Sequence, residues 1–239
     1  MLANQRTHGE DMSEVAPGVY QVGGGELSSP GDCCVYLVDA GDGRSVLIDA
    51  GLSTDPTQLL GNIKATGHDP KRILAVILTH GHIDHIGGAQ AIKWLTGCEV
   101  VAHEGDVAAI REGDPLRTAS DLYCMGAVKV EVDRVIEGDG AVLEYGTARL
   151  VVVHTPGHTP GDITLLLKAG GRTVLFANDV HGPFSADWGS DTKAWARSMN
   201  RLVAMAPDVL LEGHFGAIAP RARAVEFIQQ YLSRPPAGV

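Results

Sequence analysis

Four side chains able to bind a metal or carry a proton, His80, His82, Asp84 and His85, fall within six residues of one another in THGHIDHIGG, residues 79–88. An extended backbone sends alternate side chains to one side, so His80, His82 and Asp84 face the same way, and a turn into a following helix can bring His85 round to join them. Three imidazoles and a carboxylate so grouped suit zinc, iron, manganese or nickel. The plain alternative is a polar loop that caps a helix, with Asp84 as the cap and the histidines in water. A core strand gains nothing from such residues at its end, which favours the ligand reading.

The elements that must position the cluster can be read from the flanking sequence. The continuous apolar run ILAVIL, residues 73–78, is too short for a helix between loops and fits a buried strand that ends directly in the cluster. Ala91, Ile92 and Leu95 mark a helix after it, and EVVAH, residues 99–103, a further strand. Upstream, residues 33–38 and 45–48 read as two strands joined by the turn DAGDGR. A helix is expected from about Thr54, with Ser53 or Thr54 as cap and Pro56 in its first turn. The segment DITLLLKAGGRTVLFAND, residues 162–179, repeats the order of CCVYLVDAGDGRSVLIDAG, residues 33–51, which implies two related halves. Helical spacing returns at Trp195, Met199 and Leu202, and again at Val225, Ile228 and Leu232. Strands alternating with helices in two halves predict a layered α/β architecture. Residues 1–17 read as a flexible N-terminal segment and 18–239 as one domain.

Composition narrows the function classes. The chain has 239 residues and a net charge of −10, with no cluster of Lys and Arg, which argues against a nucleic-acid partner. No apolar run is long enough to span a membrane. The N-terminal residues lack the pattern of a secretory signal, so a cytoplasmic location is expected. Four cysteines without a CxxC spacing are read as reduced thiols, with Cys33 and Cys34 as core packing. His103 and His154 are read as structural.

THGHIDHIGG resembles the HxHxDH signature of the metallo-β-lactamase superfamily. Further motifs of that family follow in order: Asp49 ends VLIDAG, His158 lies in HTPGHTPG, Asp179 ends VLFAND, and His214 lies in LEGHFG. The resemblance spans roughly residues 18–216. It implies an αββα sandwich of two mixed sheets with flanking helices, and a metal site at one edge between the sheets. By the same resemblance His80, His82 and His158 would bind one divalent metal ion, Asp84, His85 and His214 a second, and Asp179 would bridge them. Asp49 would orient a ligand imidazole. Zinc is the default metal, with iron or manganese as alternatives.

Family members that hydrolyse β-lactams characteristically carry Cys or Ser at the bridging position, so Asp179 points away from that activity. Glyoxalase II and persulfide dioxygenases usually follow this Asp with a Gly-Arg pair, and here the segment is VHGPFSADWGSD, residues 180–191. The 25 residues after His214 are too few for a glutathione-binding helical domain. An RNase Z-like activity would want a basic surface that is absent. The resemblance therefore implies a dinuclear hydrolase of small esters, thioesters or lactones. A metal-bridging hydroxide would attack, and Asp84 would relay a proton to the leaving group. The partner would be a small molecule, and His181, Phe184 and Trp188 are candidates for its pocket. The alternative is a mononuclear iron oxidoreductase resembling persulfide dioxygenases, built on His80, His158 and Asp179. A metal-stabilised scaffold without turnover is a third class, disfavoured because every motif position keeps a competent ligand.

Overall fold

The structure is a computed structural model and describes residues 13–177 and 179–234. Among the described residues the first half builds one sheet of seven strands in sequence order: β1 (Glu14–Ala16), β2 (Val19–Gln21), β3 (Tyr36–Asp39), β4 (Ser45–Ile48), β5 (Ile73–Ile77), β6 (Glu99–His103) and β7 (Arg134–Ile136). The second sheet has six: β8 (Val142–Tyr145), β9 (Ala148–His154), β10 (Ile163–Ala169), β11 (Arg172–Phe176), β12 (Val209–Glu212) and β13 (Gly216–Ile218), in the order β13-β12-β11-β10-β9-β8. Both sheets are mixed. In each, an antiparallel hairpin, β3-β4 or β10-β11, is followed by a helical crossover to a parallel strand, β5 or β12. This shared plan is what the repeated sequence order encodes.

The helices are α1 (Thr57–Ala65), α2 (Ile83–Ile86), α3 (Ala89–Thr96), α4 (Glu104–Glu112), α5 (Thr192–Met205) and α6 (Arg221–Leu232). Strand alternation assigns residues to layers. On β5, Ala75 and Ile77 face the second sheet and share a core with Leu150, Leu165 and Phe176, whereas Val76 turns outward to Leu59, Ile63 and Ile92 on α1 and α3. On the far side Leu175 and Leu210 pack beneath Trp195, Met199 and Ile228 of α5 and α6. The result is helix, sheet, sheet, helix, the αββα arrangement expected. Parallel neighbours and cover on both faces explain why β5 is a continuous apolar run. Among the described residues no helix is long and apolar enough to cross a membrane.

Three boundaries differ from the sequence reading. The segment expected to be flexible up to residue 17 contains β1, which pairs with β2; residues 1–12 lie outside the described residues. Helix α1 starts at Thr57 rather than near Thr54, because Asp55 Oδ1 accepts from both the Thr57 amide (3.0 Å) and its hydroxyl (2.6 Å). The strand expected over residues 33–38 begins only at Tyr36. The amides of Cys33 and Cys34 donate instead to the Asp84 and Gly213 carbonyls, tying this segment to two of the histidine-bearing loops.

Candidate metal centre

The strand ends of both sheets deliver the candidate residues to one edge of the sandwich. Strand β5 runs into Thr79 and the cluster, His82 opens the single turn α2, and that turn carries Asp84 and His85. The turn needs Gly87: a Cβ there would stand 2.1 Å from the Leu52 carbonyl oxygen, so this loop and the one after β4 meet backbone to backbone. His158 lies between β9 and β10, Asp179 follows β11, and His214 sits in the turn from β12 to β13. All seven come together; every one is buried except His214, whose side chain is 30% exposed.

The geometry divides around Asp179. Its Oδ2 lies 3.4 Å from His158 Nε2, and His158 Nε2 lies 2.9 Å from His82 Nδ1. Its Oδ1 lies 3.4 Å from His85 Nε2 and 3.2 Å from His214 Nε2. Asp84 Oδ2 joins this second group, 3.4 Å from His214 Nε2 and 3.8 Å from His85 Nε2. His80, His82, His158 and Asp179 each offer a ligand atom within 4.8 Å of the others, and so do Asp84, His85 and His214. Nitrogens bound to one zinc at about 2.0–2.1 Å stand roughly 3 Å apart, so the spacing fits.

Tautomers are set from outside. His158 Nδ1 lies 2.7 Å from the Pro183 carbonyl, which can only accept, so Nδ1 carries the proton and Nε2 presents a lone pair inward. His85 Nδ1 is held likewise by Asp49 at 2.8 Å. Among the described residues His80 Nε2, His85 Nε2 and Asp179 Oδ1 are buried without a hydrogen-bond partner. Each such atom costs about 1–3 kcal/mol against a typical stability of about 5–15 kcal/mol. Orphans of this type among imidazoles and carboxylates are what a metal ion would satisfy, so the donor set fits the ions the fold family implies.

Electrostatics divide the imidazoles into two groups. Burial, reinforced by neighbouring histidines, pushes His80 and His82 well below the ordinary imidazole range and keeps them neutral, as ligands must be. Burial works the other way for His85, but the Cys33 sulfur and the Asp49, Asp84 and Asp179 carboxylates outweigh it and raise its pKa well above normal. The same contest, won by Asp179, raises His158 and His214. Asp179 itself is driven well below the carboxylate range: burial opposes this, and His85, His158 and His214 prevail.

A model of the metallo-β-lactamase superfamily matches residues 29–214. The chain belongs to that superfamily. Metallo-β-lactamase fold-containing protein ST1585 of Sulfurisphaera tokodaii is 26% identical over 233 residues, 91% of this chain and 85% of that protein. Acyl-coenzyme A thioesterase MBLAC2 of Gallus gallus is 28% identical over 84% of this chain and 78% of its own. Among solved structures, a B3 metallo-β-lactamase with an active-site glutamic acid superposes with a TM-score of 0.73 at 25% identity, covering 91% of this chain and 85% of that one.

Around this superfamily site the pocket candidates separate. Trp188 stands edge-on to His82 and His158, with ring centroids 4.6 and 5.8 Å away. His181 is partly exposed beside His214, and its Nδ1 lies 2.8 Å from Glu212. Phe184 is 6% exposed; it packs edge-on against Trp195 in the outer core, ring centroids 5.2 Å apart, and stands edge-on to the His158 ring at 6.2 Å. Arg111 is committed to the Val132 carbonyl. His103 and His154 stack 4.0 Å apart, and each has a ring nitrogen on a backbone carbonyl, which fits structural roles.

Three residues near the site escaped sequence reasoning. Glu212, fully buried, accepts from the amides of His214 and Phe215 while holding His181. An acidic residue closing the apolar run VLLE was the available signal. Tyr123, in the loop after α4, has its phenol pKa raised, first by burial and then by the Asp84 carboxylate it faces. Asp106 bridges two histidine-bearing loops, and at a helix start it reads as an ordinary dipole partner.

Proposed function

We propose that this metal-dependent hydrolase holds two divalent ions, zinc by default, and cleaves carboxylic ester-like bonds in small esters, thioesters or lactones. The observation that carries the reading is the split of the Asp179 carboxylate, one oxygen toward His158 and the other toward His85 and His214. His80, His82 and His158 would hold one ion and Asp84, His85 and His214 the other, with Asp179 shared. Two ions so held would supply Lewis acidity for activating a water and stabilising charge on the scissile carbonyl and the departing group.

The chain's own residues position and move protons. Asp49 and the Pro183 carbonyl keep His85 and His158 in the inward-donating tautomer. Asp84, facing the Tyr123 phenol, is the carboxylate placed to pass a proton to the leaving alkoxide or thiolate. Phe215 and Leu122, 54% and 66% exposed, follow His214 and precede Tyr123, and they suit an uncharged or apolar acyl group better than an anion. The thioesterase named among the relatives supports the thioester class.

The oxidoreductase alternative would use His80, His158 and Asp179 and leave Asp84, His85 and His214 without a task, so the split carboxylate favours the hydrolase. Elemental analysis after metal loading tests the reading, with about two ions per chain expected from seven ligands. A single iron per chain, with oxygen uptake on glutathione persulfide, would overturn it.

A further inference from the structure

We infer that Asp106 is a positioning residue for the first ligand set: through it the first turn of α4 fixes the separation between the loop of His80 and His82 and the loop of His158. The inference rests on the two-ion reading. Acidic residues in a first helical turn normally face water, yet Asp106 is 4% exposed. Its Oδ2 accepts from the Gly81 amide at 2.9 Å and the Thr159 hydroxyl at 2.6 Å, and its Oδ1 accepts from the Gly161 amide at 2.9 Å. Gly81 lies between His80 and His82, and Thr159 follows His158 directly. One carboxylate therefore joins the two loops by three charge-assisted bonds, the stronger class of hydrogen bond.

The helix approaches as closely as backbone allows. A Cβ on Gly105 would stand 2.7 Å from the Gly161 nitrogen and the Pro160 carbonyl oxygen, so α4 and the His158 loop are in direct main-chain contact. The second set is braced by other groups, Asp49 on His85 and Glu212 on the His214 amide. The three bonds of Asp106 reach Gly81, Thr159 and Gly161, all beside first-set ligands. A small misplacement of positioned groups is costly, and outer partners of ligands typically change metal affinity by about 10–100-fold.

The test is Co(II) titration followed by its visible absorption, with thermal unfolding measured in parallel. Asp106→Asn keeps the side chain's shape but turns one acceptor into a donor, so at least one of the three bonds is lost. It is read in two backgrounds, His214→Ala, which leaves the first set complete, and His158→Ala, which leaves the second. Affinity is expected to fall about tenfold or more in the His214→Ala background and to stay unchanged in the other. Equal loss in both, or loss in neither, overturns the inference and leaves the two-ion reading standing. If Asp106→Asn does not fold, Thr159→Val removes one bond with Asp106 in place, and a smaller loss with the same selectivity is expected; an unselective effect again overturns the inference. Should the parent chain itself bind only one Co(II) ion, the two-ion reading fails and takes the inference with it.

Discussion

Asp49 Oδ2 lies 2.8 Å from His85 Nδ1, and the same carboxylate accepts from the amide and hydroxyl of Thr79 at 2.8 and 2.6 Å. One buried side chain at the end of β4 therefore fixes both the exit of β5 and the ring of a candidate ligand. The backbone at Asp49 is left-handed, with φ of 66°, a conformation that Asp tolerates better than most residues. Strand end, turn and imidazole orientation are a single arrangement.

Asp49→Asn keeps the shape and changes what the group offers. With one acceptor oxygen replaced by an amide, either the Thr79 amide contact at Oδ1 or the acceptor for His85 and the Thr79 hydroxyl at Oδ2 is lost. Metal affinity or turnover is expected to fall by about 10 to 100-fold, the usual effect of removing a ligand's outer partner. Chelator competition measures the first and steady-state kinetics the second. Unaltered values for both would separate Asp49 from the site.

Asp84→Ala removes a group from the turn α2 rather than from the packed layers between the sheets, so folding should survive. Occupancy is expected to drop from about two ions toward one, with severe loss of turnover, because Asp84 belongs to one set only. Elemental analysis and circular dichroism together decide the matter: full metal content with normal turnover would reassign Asp84, and an unfolded variant would show that it also holds the fold.

His80, His82, Asp84 and His85 were legible as a group from their spacing, and His158, Asp179 and His214 through the family resemblance, each lying in a short motif at a strand end. Ile77 running into His80, and Leu211 running through Glu212 to His214, show the pattern: apolar residues inside, then chemistry at the edge. What escaped were residues whose role depends on long-range contact. Asp106 looks like any acidic residue opening a helix until Gly81 and Gly161 are placed against it. Cys33 reads as the start of a strand, but its amide is drawn to Asp84 by a contact that no local pattern encodes. Phe184, singled out for its nearness in sequence to Asp179, stands between Trp195 of the outer core and the His158 ring, a double contact that no local pattern encodes.

Phe184→Ala accordingly should act on stability. Truncating a buried Phe costs about 3–5 kcal/mol, the lost transfer energy plus the cavity left against Trp195. For a domain of this size that corresponds to a fall in Tm of roughly 6–20 °C. KM for small substrates should stay close to the parent value at temperatures where the variant is folded. A large rise in KM without a change in Tm would return Phe184 to the pocket.

Substrate preference follows from the chemistry of the centre and its rim. Under the two-ion reading, two divalent ions with the Asp84 and Asp179 carboxylates would leave a net positive charge where an oxyanion and a leaving alkoxide or thiolate develop, which would favour acyl transfer from polarised carbonyls. A phosphodiester arrives already anionic and carries a second arm that needs its own cationic surface. The chain has a net charge of −10, and Arg111, in the last turn of α4, donates to the Val132 backbone carbonyl. The exposed Phe215, beside His181, and Tyr123, beside Asp84, offer apolar contact instead, which supports an uncharged acyl group. In a panel of metal-loaded assays, small neutral esters, thioesters and lactones are expected to exceed nitrocefin and bis-nitrophenyl phosphate in kcat/KM. Among them, lengthening the acyl chain by a few methylenes should lower KM, since each buried methylene contributes about 0.8 kcal/mol. A rate on nitrocefin or the phosphodiester above every carboxylic substrate would reverse the ranking, and a KM indifferent to chain length would remove the apolar rim from substrate binding.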